Sequence, residues 1–73
     1  MANKNNQKTR KELGDKLRKA REEAELTQAE VAEAADVNVN YYARIERGEV
    51  TPSLERLKIM MKVLKIRTLN ISS

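Results

Sequence analysis

Two helix-start signals, at Thr27 and at Asn38, constrain this chain more than anything else in it. The first is the run Thr27-Gln28-Ala29-Glu30. Its threonine hydroxyl can accept from the Glu30 backbone amide, and its glutamate can accept in return from the Thr27 amide. The second is Asn38, a residue type favoured at N-caps. Val31, Ala32 and Ala35 form a short apolar face between the two signals, and Asp36 breaks the pattern. A helix over about 28–35 must therefore stop at once, turn within three residues, and give way to a second helix over about 39–47. Ala29, Ala32, Ala34 and Ala35 leave the first of these helices small-sided, so another helix can approach it closely.

The flanking segments follow the same logic. Leu13, Leu17, Ala20 and Ala24 recur at spacings of three and four, which predicts a helix from Leu13 to near Glu25. Residues 1–10 are rich in Asn and Lys and show no periodic apolar residue, so they are expected to form a flexible basic arm ahead of one domain over 11–73. Tyr42 and Ile45 lie three apart on one face of the 39–47 helix, and Gly48 is placed to be its left-handed stop. The Tyr42 ring should be buried, with its hydroxyl at solvent or at a polar group. Thr51-Pro52-Ser53 opens the next helix, over about 54–64, with either Thr51 or Ser53 as its cap. That helix has a main apolar stripe of Leu54, Leu57, Met60, Met61 and Leu64, and a second of Ile59, Val63 and Ile66. The second stripe needs a partner beyond the core: a fifth segment (Leu69, Ile71) or another subunit. The fold class is all-α, a compact four- to five-helix bundle.

Composition narrows the chemistry. The 73 residues include no Cys and no His, which removes disulfides, the usual zinc ligands and a His-activated nucleophile. Gly14 and Gly48, the only glycines, are too far apart to cradle a phosphate. No catalytic residue, metal or cofactor is expected. The start, MANKNNQKTRKE, has no apolar segment, and no apolar run approaches a membrane span, so a cytoplasmic protein is expected. The net charge of +4 is patterned in blocks: +6 over residues 1–21, −6 over 22–36, zero over 37–49 and +4 over 50–73. Basic blocks at both ends can bracket a polyanion.

A short helix, a three-residue turn and a second short helix make the helix-turn-helix unit. From Leu13 to Leu64 the chain resembles the XRE family of helix-turn-helix regulators, the Cro and phage-repressor-like family. LGDKLRKAREEAELTQAEVAEAA and YYARIERGEVTPSLERL carry the resemblance, with LTQAEVAEAA and ARIERG its most distinctive parts. It implies a five-helix DNA-binding domain, the fifth helix near 68–71, whose third helix enters the major groove and which works as a homodimer. It also implies that Arg21 and Glu46 pair between helices one and three. The chain departs from the family at Glu25, Asp36 and Lys65, where glycine is usual, and at Tyr42, where an aliphatic is usual. Glu tolerates left-handed backbone less well than Asp, which predicts a differently built end for helix one.

Residues not claimed by the core are the candidates for contact with double-stranded DNA. Gln28 stands at the start of helix two, where free backbone amides attract phosphate. By the resemblance, Val39, Asn40 and Arg44 match base-facing positions: Asn can read adenine, Arg guanine, and Val a thymine methyl. Asn38 and Tyr41 border them, and Tyr41 can reach a phosphate through its hydroxyl. Arg47, Lys8 and Arg10 are further phosphate contacts. The expected function is sequence-specific DNA binding by a prokaryotic or phage-type repressor, forming a homodimer on DNA and needing no small-molecule effector. A second reading is a protein-interaction module or antitoxin-type partner that keeps the fold.

Overall fold

The computed structural model describes residues 3–65, with side chains from Lys8 onward. It contains α1 Asn3–Glu23, α2 Gln28–Ala34, α3 Val39–Glu46 and α4 Leu54–Val63, and no strand among the described residues. Three of the helix starts are capped by side chains. The Thr27–Glu30 box closes in both directions, with Thr27 N donating to Glu30 Oε1 at 2.7 Å and Glu30 N to Thr27 Oγ1 at 3.0 Å. Asn38 Oδ1 accepts from Asn40 N at 2.7 Å. Ser53 Oγ accepts from Arg56 N at 3.2 Å, which makes Ser53 the cap rather than Thr51.

The helix ends share one device. After α1, Glu25 N donates to Glu22 O and Leu26 N to Arg21 O; after α2, Asp36 N donates to Glu33 O and Val37 N to Ala32 O. After α3 the same pair of bonds runs from Gly48 N to Ile45 O and from Glu49 N to Arg44 O. This is the Schellman closure, which needs a left-handed residue just past the cap. Only α3 has glycine there, at φ 78°; Glu25, Asp36 and Lys65 take φ 60°, 60° and 59°. The end of helix one is therefore not built differently, as its glutamate suggested. Satisfying two backbone carbonyls offsets a left-handed penalty of about 1–2 kcal/mol.

Leu13, Leu17, Val31, Ala32, Ala35, Tyr42, Ile45, Met60 and Leu64 form the buried core, and Ala20, Leu26, Val37, Tyr41, Val50, Leu57 and Val63 pack around it. Two apolar expectations fail. Ala24, in the last turn of the helix-one stripe, is exposed. Leu54, at the first position of α4, is 69% exposed. Helix one also begins earlier than its apolar stripe: residues 3–10, expected as an arm, are the first turns of α1. Extending a helix already packed at Leu13 and Leu17 fixes one residue per added bond, so no apolar periodicity is needed there. Ile66 and the proposed fifth helix at 68–71 lie outside the described residues.

Gly14 sets how close α1 and α3 come. A Cβ at this position would meet the carbonyl oxygens of Glu46 and Ile45 and lie 2.8 Å from the Glu46 carbonyl carbon. Only a residue without a side chain lets the helix-one backbone rest on the C-terminal turn of α3.

Candidate nucleic-acid interface

Helix three has two faces of opposite character. Tyr42, Ile45 and Glu46 face inward and are buried, while Val39, Asn40, Arg44 and Arg47 are exposed. Burial of two large side chains leaves the helix one rotational setting, so the outer residues project in a fixed direction. Asn38 lies at the start of this surface, its carbonyl oxygen engaged in the cap. Tyr41 is half-buried beside it, next to Val37 and Arg56 in a shallow depression. Arg56 Nη1 donates to Asp36 O at 3.2 Å and ties the start of α4 to the turn between α2 and α3.

The setting of α3 is held by a buried ionic cluster. Arg21 Nε donates to Glu46 Oε2 at 2.7 Å and Arg21 Nη2 to Glu46 Oε1 at 3.1 Å, a two-pronged pair. Arg21 Nη1 also donates to Leu26 O at 3.0 Å, which joins the pair to the loop after α1. Gln28 Nε2 donates to Glu46 Oε1 at 2.9 Å. Reasoning from sequence aimed this amide at a phosphate; in the fold one of its N–H bonds is turned inward to the carboxylate. The Glu46 side chain is only 3% exposed. Desolvation pushes its carboxyl upward, but the hydrogen bonds from Arg21 and Gln28 outweigh that and hold it below the usual carboxylate range. The Arg21 guanidinium is correspondingly raised by its bond to Glu46.

The Tyr42 hydroxyl is buried beside this cluster without a well-formed hydrogen bond. It does not reach solvent, one of the two outcomes the sequence allowed. Burial first, and the Glu46 carboxylate second, raise its phenol far above the ordinary tyrosine value.

A second cluster lies on the outer side. Glu49 accepts from Arg47 Nε at 2.8 Å through Oε2, from Arg47 Nη2 at 3.3 Å through Oε1, and from Arg44 Nε at 3.3 Å through Oε1. All three side chains are about half exposed. The bond from Arg47, more than that from Arg44, holds the Glu49 carboxyl low. Sequence reasoning missed Glu49, although its place immediately after Gly48 was a signal: a Schellman closure returns that residue's amide to Arg44. It also missed Gly14, because a glycine inside a polar helix shows no partner in sequence.

The basic residues of helix one divide. Lys8 is exposed. Arg10 Nε donates to Gly48 O at 3.2 Å, so one N–H of this expected phosphate contact ties α1 to the end of α3. A cation there also complements the negative end of the helix dipole.

A helix-turn-helix family profile matches residues 17–70. The chain belongs to the XRE-type helix-turn-helix family. The chain is similar to the immunity repressor protein of Bacillus phage phi105. It is 36% identical over 55 residues, which are 75% of this chain and 38% of the phage protein. The chain thus spans well under half the length of the relative it matches. No described helix is long and apolar enough to cross a membrane.

Proposed function

We propose that this protein is a sequence-specific transcriptional regulator of repressor type that inserts α3 into the major groove of double-stranded DNA. The observation that carries this reading is the two-faced recognition helix. Its inner side is locked by Tyr42, Ile45 and the Arg21–Glu46 pair, and its outer side offers Asn40 and Arg44 together. Planar donor groups on a fixed helix match base edges. Membership of a DNA-binding family and the repressor name of the phage relative support the same function.

Roles divide by chemistry. Asn40, Arg44 and Val39 read bases; Asn38, Tyr41, Arg47, Lys8 and the outward part of Gln28 set register and attraction through phosphates. The binding unit is a homodimer assembled on DNA, with half-sites one helical turn, about 34 Å, apart. Ile59, exposed on α4, and its neighbour Val63 are the contact proposed between copies.

Selection of bound duplexes from a random pool supplies the preferred site, and Arg44→Ala then tests the reading. Loss of about 1–3 kcal/mol on that site and little on random duplex is expected. Lys8→Ala should weaken both alike and flatten the salt dependence by roughly one phosphate contact. An unchanged ratio of selected to random affinity in Arg44→Ala moves the readout off α3. Binding to no duplex at any salt concentration returns the interaction-module reading.

A further inference from the structure

We propose that Glu49 is a specificity-determining residue of this interface: it buttresses Arg44 for end-on base reading and suppresses the attraction of Arg44 and Arg47 for phosphates at large. The inference rests on the DNA-reading role of α3 proposed above. It starts from the position of Glu49, whose backbone amide is bound to Arg44 O at 2.9 Å. The closure at Gly48 therefore brings the Glu49 backbone back to Arg44, and from there its carboxylate accepts from both arginines. Arg44 meets it through Nε, on the side of the guanidinium. That contact leaves the terminal Nη groups directed along the side chain, the end that forms two bonds to guanine O6 and N7. Arg47 meets the same carboxylate through both Nε and Nη2 and is the more fully occupied of the two.

Two consequences follow for discrimination. On a random duplex the arginines are wanted only as charges, and the carboxylate neutralises part of that charge and repels phosphates. On the preferred site the bond from Arg44 to its base is made by atoms that the carboxylate does not hold, so the site loses little from it. The difference between the two affinities widens in favour of the preferred site. An exposed pair of this kind adds little to folding, so its effect is to be sought in binding.

The test compares Glu49→Gln with Glu33→Gln, an equal change of charge on the exposed side of α2, using the intact chain with the selected and the random duplex over a range of salt. Glu49→Gln should tighten binding to random duplex about three- to fivefold and steepen its salt dependence. Affinity for the selected site should hold or fall, so the specificity ratio drops at least threefold. Glu33→Gln should shift both affinities by the same smaller factor, and both variants should melt with the parent. In Arg44→Ala/Arg47→Ala, the added Glu49→Gln should act no differently from Glu33→Gln. A ratio unchanged by Glu49→Gln, or changed equally by Glu33→Gln, overturns the proposal while Arg44→Ala still lowers the ratio. If Arg44→Ala leaves the ratio intact, the reading of α3 fails, and this inference with it.

Discussion

Two arginine–glutamate clusters meet at helix three, alike in chemistry and opposite in burial. Arg21, Gln28 and Glu46 meet on the inner side, where the glutamate is 3% exposed; Arg44, Arg47 and Glu49 meet on the outer side, where it is 45% exposed. Burial decides what each can do. The inner carboxylate has no water to fall back on, so its partners are required and the cluster locks the helix between α1 and α2. The outer carboxylate is open to water, so the ion pairs it makes are weak and none of the three side chains is buried by them. One helix thus has a buried mounting on its inner side and a half-exposed ion-pair cluster at its outer end.

Breaking the inner cluster should produce the largest effect. Arg21→Ala leaves the Glu46 charge buried with only the neutral Gln28 amide bound to it, with an expected loss of about 3–5 kcal/mol in urea unfolding. A domain this small has little stability in excess, so the variant should be largely unfolded at 37 °C. Glu49→Gln, the outer counterpart, should leave the urea midpoint where it was. Equal losses from the two variants would show that burial does not separate the clusters.

Gly14→Ala attacks the same mounting through the backbone. The added carbon meets two carbonyl oxygens at the end of α3. Overpacking of this kind costs about 1–3 kcal/mol, and rigid backbone on one side points to the upper end. Affinity for the selected duplex should fall with it, because the C-terminal turn of α3 has to shift. An alanine variant with the parental melting temperature would contradict the close approach.

Acid separates the inner contribution by its sign. The Glu46 carboxyl is held below its ordinary value in the folded state, so its ionised form favours folding. That contribution is fully present above the unfolded glutamate value of about 4.3 and is lost as pH falls through the lower folded value. Unfolding free energy should therefore drop between pH 5 and the region below 4, and Glu46→Gln should show a shallower drop. Identical acid profiles for the two proteins would remove Glu46 from the account.

Smaller effects are expected at the helix ends and at the buried phenol. Glu25→Gly should relieve left-handed strain and raise stability by about 0.5–1 kcal/mol after the entropy cost of glycine, with less at Asp36→Gly because Asp tolerates this backbone better. Tyr42→Phe removes a buried hydroxyl that lacks a well-formed bond, so it should be neutral or slightly stabilising. A loss of 1 kcal/mol or more there would reveal a working bond to Glu46.

What the sequence by itself determined was local in origin. The caps at Thr27 and Asn38, the stop at Gly48 and the apolar spacing of Leu13, Leu17, Val31, Ala32, Tyr42 and Ile45 depend on contacts within a turn or two, so they are legible residue by residue. The helix-turn-helix unit and the exposed face of α3 follow from them. The Arg21–Glu46 pair was legible only through the family resemblance, because nothing in the spacing of 21 and 46 announces it. Tertiary structure alone decided where the polar ends of long side chains go. Gln28 turns to Glu46, Arg10 to the Gly48 carbonyl, and Arg44 and Arg47 to Glu49, once chain segments far apart or beyond a tight turn are brought together. Gly14 shows its purpose only when α3 is laid across it. The physical reason is common to all of these. Backbone capping and periodic burial are set by neighbours a few residues away, whereas the partner of a guanidinium or an amide is whatever acceptor the packed helices leave within 3 Å or so.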